Sequence, residues 1–142
     1  MKKLHAGLAV VVMMGILVLP GCAKMKETLT GEPSSQEVQP SPRYLDFSDI
    51  LIPGELSKVP KESYIINGHG RLVLSGRVYA ESLGQFFITS MNTDGWALMN
   101  QYKYQGSIKI FFKKSERFSS ILITENPLGT WVEIWVVPQQ KT

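Results

Sequence analysis

The chain has 142 residues, of which 44% are apolar, and its 3 Trp, 6 Phe and 5 Tyr are enough for one small domain with a hydrophobic core. The formal net charge is +3, but Lys2 and Lys3 lie in an N-terminal segment that we expect to be removed, which leaves 13 basic and 12 acidic groups. A balance this near to zero produces no field that would attract a polyanion. Nucleic acid is therefore excluded as an expected partner.

The first 21 residues have the three-part order of a secretory signal peptide. Two lysines in "MKKLH" precede an uncharged apolar run from Ala6 to Leu19, and "PGC" follows it. The run has 14 residues. As a helix it would reach about 21 Å, which is less than the roughly 30 Å of a bilayer's hydrocarbon layer. We therefore predict a signal peptide over residues 1–21 rather than a spanning helix.

Leu19, Pro20, Gly21 and Cys22 follow one another at the end of this segment, and they resemble the lipobox of bacterial lipoproteins. Leu19 and Gly21 are residue types favoured there, whereas a small or β-branched residue is more common in the place of Pro20. The resemblance implies cleavage before Cys22, a diacylglycerol on its thiol and, usually, an acyl group on its new amine. A lone cysteine in an exported chain cannot form an internal disulfide. The alternative is an unmodified thiol, either after an ordinary signal peptide or in the core.

The expected lipid anchor and the residues after it indicate where the domain works. Each buried methylene contributes about 0.8 kcal/mol, so two or three acyl chains hold a protein on a membrane for a long time. In bacterial lipoproteins an Asp directly after the cysteine favours the inner membrane. Ala23 in this position implies the outer membrane, facing the periplasm, with the inner membrane as the alternative. Residues 22–43 are rich in Ser, Thr, Pro, Glu and Gln and lack aromatic side chains until the domain begins, which predicts a disordered tether and a single domain over 44–142.

An N-terminal arm and a β-hairpin are expected at the start of this domain. Asp46 and Asp49 in the arm are interpreted as solvated or capping groups rather than as a metal pair, because a hard cation needs six or more oxygen ligands. The strands "ESYIIN" and "RLVLSGRV" flank "GHG", which predicts a hairpin. His69 at its tip is the one histidine outside the signal peptide. We interpret it as a turn residue, with a catalytic or ligand-binding role as the alternative.

One amphipathic helix is predicted in "YAESLGQFFITSMNTDGW". Its apolar residues fall at the spacing of a single helical face, and they are Tyr79, Leu83, Phe86, Phe87 and Met91. The segment 92–95 is expected to end the helix. A face of this kind is typical of a helix packed on a sheet.

The period changes to two after the helix, which predicts four antiparallel strands in meander order. "WALMNQYKY" and "SIKIFFKK" are separated by Gln105 and Gly106, and "SSILITE" and "TWVEIWVVP" are separated by "NPLG". With the first hairpin the expected order is β-β-α-β-β-β-β, and a short strand of the arm in front of it is left open. The fold class is therefore predicted to be α+β, with one amphipathic helix packed on an antiparallel meander sheet.

Alternation within the strands separates an aliphatic face from an aromatic and basic one. We expect the aliphatic face to lie under the helix. The other face would then carry the candidate binding residues, which are Phe111, Trp131, Trp135, Lys109 and Lys113. Two alternatives stay open: the arm over residues 44–56 covers this face, or the opposite register places the tryptophans in the core.

A noncatalytic binding or scaffold module, anchored in the envelope and contacting an envelope protein, is the function that these features favour. The tethered helix-on-sheet arrangement is similar to the helix-grip-like domains of outer-membrane assembly lipoproteins, and "GRVYAESLGQFFITSMNTDGW" resembles small bacterial lipoproteins of uncharacterised role. A carrier or sensor of a small apolar or glycan ligand is the alternative, followed by an enzyme that uses His69. Neither a metal nor a cofactor is expected beyond the lipid on Cys22.

Overall fold

The computed structural model describes residues 40–139. The predicted signal peptide, Cys22 and nearly all of the predicted tether lie outside the described residues. In chain order the elements are β1 (Arg43–Tyr44), β2 (Leu51–Ile52), β3 (Ser57–Lys58), a 3₁₀ turn (Pro60–Glu62), β4 (Tyr64–Ile66), β5 (His69–Gly76), α1 (Ala80–Thr93), β6 (Ala97–Tyr104), β7 (Ser107–Lys114), β8 (Arg117–Asn126) and β9 (Gly129–Pro138).

The main sheet of the described region is antiparallel and has the strand order β3-β5-β9-β8-β7-β6, with β4 also paired to β5. The α+β architecture and the meander from β6 to β9 are confirmed. The order as a whole was predicted only in part, because β5 pairs with β9 and not with β6, and because β3 and the separate β1–β2 pair were not predicted. The chain must therefore cross the sheet between β5 and β6, and α1 makes this crossing.

The helix α1 begins after Tyr79 and ends at Thr93, close to the predicted bounds. Leu83, Phe87 and Met91 are buried, at the spacing that brings side chains onto one face. The prediction was wrong for Tyr79, which has an extended backbone before the first turn and a side chain that is 77% exposed. Because Tyr79 does not have helical backbone angles, the helical spacing does not place its side chain on the buried face.

The core lies between α1 and one face of the sheet. Aliphatic side chains of β7 and β9 are buried there as predicted, and arm side chains join them. The buried members of this core include Phe47, Ile50, Ile52, Leu56, Leu72, Leu74, Leu83, Phe87, Met91, Trp96, Ile108, Ile110, Phe112, Ile121, Ile123, Val132, Ile134 and Val136. The alternative in which the arm covers the aromatic face is wrong, because its buried side chains pack on the helix side.

Two hairpins turn on a pair of residues with positive φ. Gln105 and Gly106 have φ of 45° and 75°, and Asn67 and Gly68 have φ of 51° and 75°. Left-handed conformation at both central residues is the geometry of a type I′ turn, which matches the twist of the flanking strands. The first hairpin was predicted to turn at "GHG", but His69 is already the first residue of β5 and pairs with β4.

Candidate binding face

The side of the sheet away from α1, named here the open face, is built by alternate residues of β5 to β9. Cross-strand pairing aligns these residues in rows. The four rows are Lys113, Phe118 and Val137; Phe111, Ser120, Trp135 and Arg71; Lys109, Leu122, Glu133 and Val73; and Ser107, Thr124, Trp131 and Ser75. The structure therefore brings all five predicted binding residues onto one surface.

Four of these five residues are half-buried, and Lys109 is exposed. Their partial burial arises from contacts with neighbours on the same face and not from the arm, which packs on the other side of the sheet. Tyr102 of β6 stacks on Phe111 at 6.0 Å between ring centroids. The alternative that places Trp131 and Trp135 in the core is wrong for the same reason: the buried residues of β9 are those that alternate with them.

An apolar groove of about 670 Å³ lies across the open face where β6 to β9 run side by side. Ser120 is the small residue of its row, and the larger rings of Phe111 and Trp135 stand on either side of it. Met99 and Val137 complete the rim and are 57% and 44% exposed. Met99 reaches this position because the β6–β7 register shifts between Leu98 and Asn100, and a shift of this kind redirects a side chain. The groove was missed at the sequence level because it depends on that bulge.

Trp135 is held in place by several contacts. Its indole N–H donates a hydrogen bond to the Glu133 carboxylate, Tyr64 meets its ring edge-on at 5.8 Å, and the Arg71 guanidinium lies over the ring at 5.8 Å. Arg71 also forms an ion pair with Glu133 at 2.6 Å. The hydrogen bond from Arg71 holds the pKa of Glu133 below its usual value, although partial burial acts in the opposite direction. The wall of the groove is thus pre-organised, which reduces the entropy lost when a ligand binds.

The open face is basic beside the groove. Glu133 is already paired with Arg71, whereas Lys109 is exposed to solvent and the Lys113 ammonium lies 5.6 Å from the ring centroid of Phe118. An apolar groove flanked by two lysines can receive an apolar side chain together with an acidic group nearby.

A second cluster, at the junction of arm and sheet, was not recognised in the sequence. Asp49 was interpreted as solvated or capping, but its side chain is only 16% exposed and forms ion pairs with Lys114, at 2.8 Å, and with Arg117. Burial raises its pKa, and the hydrogen bonds from Lys114 and Arg117 outweigh that effect and lower it. Both cations also lie over the Trp96 ring. No local pattern links groups that are more than sixty residues apart.

His69, the candidate for an enzymatic role, is half-buried at the start of β5. It pairs with Ile66 across the hairpin. Within residues 40–139 there is no group of three or more His, Cys, Asp or Glu side chains placed to hold a metal ion.

Comparison with protein-family models, with curated proteins and with solved structures finds no significant match to this chain. In the part of the chain that the structure describes, no helix is long and apolar enough to cross a membrane.

Proposed function

We propose that this protein is a bacterial envelope lipoprotein, attached to the membrane through lipid on Cys22, whose domain binds an envelope protein through the open face and catalyses no reaction. The observation that carries the binding role is the groove between Phe111 and Trp135. Large aromatic side chains around a pocket are the usual sites of high binding energy in protein interfaces. We further propose that the domain lies on the periplasmic side of the outer membrane. This location is supported by the resemblance of Leu19–Cys22 to a lipobox and by Ala23 after it.

The edge of the sheet next to the groove supports a protein partner. All eight residues of β6 are exposed, and among residues 40–139 β6 is the last strand of the sheet and pairs on one side only. An exposed edge of this length offers backbone donors and acceptors to an added strand. An extended segment of a partner could pair with β6 and place an apolar side chain beside Met99 in the groove, while an acidic residue meets Lys109 or Lys113.

A small-ligand carrier or sensor is the second candidate, favoured by the size of the groove. Its volume of about 670 Å³ lies within the range of about 300 to 1,000 Å³ that small-molecule pockets show. This function predicts a lipid or glycan bound to the purified protein, detected by native mass spectrometry. A protein partner predicts none.

The test is in-cell photo-crosslinking from a benzophenone amino acid placed at Met99, with the groove filled by Ser120→Phe. We expect the wild-type sequence to yield a crosslinked species that Ser120→Phe abolishes, because the new ring occupies the space between Phe111 and Trp135. Gln85→Phe is the control: it adds the same ring to the exposed side of α1, away from the open face.

Trp131→Ala combined with Trp135→Ala should also remove the crosslink while the circular dichroism stays native. If the crosslink survives both Ser120→Phe and this double variant, the open face is not the binding surface. A crosslinked species of twice the mass of this chain would identify the partner as a second copy.

A further inference from the structure

One end of the sheet, named here the tip, carries exposed apolar side chains at three separate connections. Because neighbouring strands are antiparallel, the segment after β5, the β6–β7 turn and the β8–β9 turn all lie at this end. The exposed side chains here are Tyr79, Tyr104 at the end of β6, and Leu128, which are 77%, 67% and 88% exposed. Large apolar side chains with such high exposed fractions indicate a contact surface when they lie close together.

The three side chains belong to one continuous surface. Tyr79 and Leu128 line the same depression of about 410 Å³, and Tyr104 lines an adjoining one of about 680 Å³. Asn126 and Pro127 border both. The tip is therefore a single patch and not three isolated residues.

The chain enters the described domain beside this patch. Pro40, the first described residue, lines a cavity with Val78 and Phe86, and Val78 in turn borders the depression of Tyr79 and Leu128. The entry is closely packed, since the carbonyl of Pro40 fills the space that a Cβ on Gly54 would need. The segment that precedes Pro40 therefore joins the domain close to the tip.

The distance to the proposed anchor is short. Even fully extended, the chain from Cys22 to Pro40 spans no more than about 60 Å. Attachment makes a contact between the tip and the bilayer intramolecular, with an effective concentration on the millimolar scale for a short linker. An apolar contact that would be too weak for a detached domain is then sufficient.

The chemistry of the tip suits the headgroup region of a bilayer. Tyrosine combines an apolar ring with a hydroxyl and is enriched at membrane interfaces. Of the two acidic groups nearby, Glu81 pairs with Lys103 at 2.5 Å, and Glu125 accepts a hydrogen bond from the neutral Ala80 amide and keeps its charge. Arg77 adds a cation beside the depression. The charged side chains that line the two depressions therefore balance, with Arg77 and Lys103 against Glu81 and Glu125, and produce no net repulsion of anionic phospholipid.

We propose that the tip rests on the lipid surface to which the protein is anchored, with Tyr79, Tyr104 and Leu128 in the headgroup region. This inference rests on the lipid anchor at Cys22 and goes beyond it, since an anchor alone sets no orientation. The strands then rise from the membrane, so that the open face and the β6 edge point sideways along it.

The experiment uses the full, lipidated chain in vesicles of phosphatidylethanolamine and phosphatidylglycerol. A nitrobenzoxadiazole label on Leu128→Cys reports the tip. The same label on Ser115→Cys, in the exposed β7–β8 turn at the opposite end, is the control. We expect a blue-shifted emission, quenched by spin-labelled lipid, at position 128 and not at 115. Tyr79→Ser combined with Tyr104→Ser should reduce the shift at 128.

Equal emission at the two positions overturns the tip contact. The mass of the purified protein reports the lipid separately, so that a lipidated chain with an unshifted label contradicts the tip proposal alone. If the mass shows no lipid, the anchor proposal fails. The tip contact then survives only if a Cys22→Ser chain labelled at 128 still shifts when vesicles are added.

Discussion

Asp49 shows how a single side chain ties the arm to the rest of the molecule. Its carboxylate receives hydrogen bonds from Lys114 and Arg117, and its backbone carbonyl accepts one from the Trp96 indole at 2.9 Å. Lys114 also donates to the Asp94 carbonyl at 2.6 Å. The arm, the end of α1 and the β7–β8 hairpin are thus joined at one carboxylate, whose loss would leave two cations without their partner.

Asp49→Asn should lower the free energy of unfolding by about 1.5–3 kcal/mol, which is the range for a hydrogen bond to a charged group. Asp46→Asn is the matched control on the same arm. Asp46 pairs with Lys58 at 2.6 Å in a more exposed setting, so its loss should cost about 0–1 kcal/mol. Urea denaturation measures both variants, and equal losses would contradict a special role for Asp49.

The pH dependence of stability should change with the same substitution. The folded pKa of Asp49 is below its unfolded value, so its contribution is present above the unfolded pKa of about 4 and is lost as pH falls through the folded pKa. The Asp49→Asn chain should therefore lose less stability than the wild type on acidification below about pH 4. Denaturation midpoints at several pH values test this, and parallel curves would refute it.

The thiol of Cys22 is the residue on which the proposed membrane attachment depends. If Leu19–Cys22 act as a lipobox, as proposed, cells that make the wild-type chain should incorporate radiolabelled palmitate at Cys22. Cys22→Ser should abolish the labelling, and Pro20→Ala, which restores a small residue inside the lipobox, should keep or increase it. Label that persists in Cys22→Ser would disprove the assignment.

The two type I′ turns have the same backbone geometry but different first central residues, Asn67 in one and Gln105 in the other. Asn67–Gly68 is a preferred pair for this turn, whereas Gln105 takes the same left-handed conformation in the β6–β7 turn at a steric cost. The strands of the second turn hold it in this conformation, since β6 and β7 pair along most of their length. The packing of the sheet therefore overrides the local preference of glutamine.

Gln105→Asn should stabilise the domain by a few tenths of a kcal/mol up to about 1 kcal/mol, since asparagine tolerates positive φ better. The reverse change, Asn67→Gln, should destabilise it by a similar amount. Thermal unfolding measures the pair. A loss of stability in Gln105→Asn would show that the turn residue is selected for another purpose.

The elements could be predicted from the sequence where the signal was local. Alternation in β7 and β9 identified the buried and open faces, and Gln105–Gly106 marked a hairpin. The pairing of β5 with β9 could not be predicted in the same way, because it joins strands on opposite sides of α1 and the meander. The groove at Ser120 depends both on the β6 bulge and on side chains from several strands, so it too follows from the assembled sheet.

At the scale of the whole molecule, the β6 edge is the exposed boundary of the main sheet. Leu98 and Gln101 on β6 lie opposite Phe112 and Ile110, on the helix side of the sheet and away from the groove. The edge and the groove can therefore be altered separately, which distinguishes strand addition from binding to the groove alone.

Leu98→Lys combined with Gln101→Lys should abolish the crosslink from Met99 if the partner adds a strand, because charges on an edge strand oppose pairing. Gln85→Lys combined with Thr89→Lys places the same charges on the exposed side of α1 and serves as the control. A crosslink that survives the edge variant would show that the groove binds the partner without strand addition.

The arm also determines how the domain responds to force. Arg43 and Tyr44 pair with β2 in an antiparallel ladder, and the Arg43 guanidinium donates to the carbonyls of Gly54 and Leu56 at 3.0 and 2.9 Å. A force applied through Pro40 would act at the end of the β1–β2 pair. The hydrogen bonds between the two strands would then break one after another, which requires less force than breaking them together. Unpeeling would stop at Phe47, which belongs to the core, and at Asp49, which is paired with Lys114 and Arg117. The first residues of the domain would thus extend before a load reached the sheet.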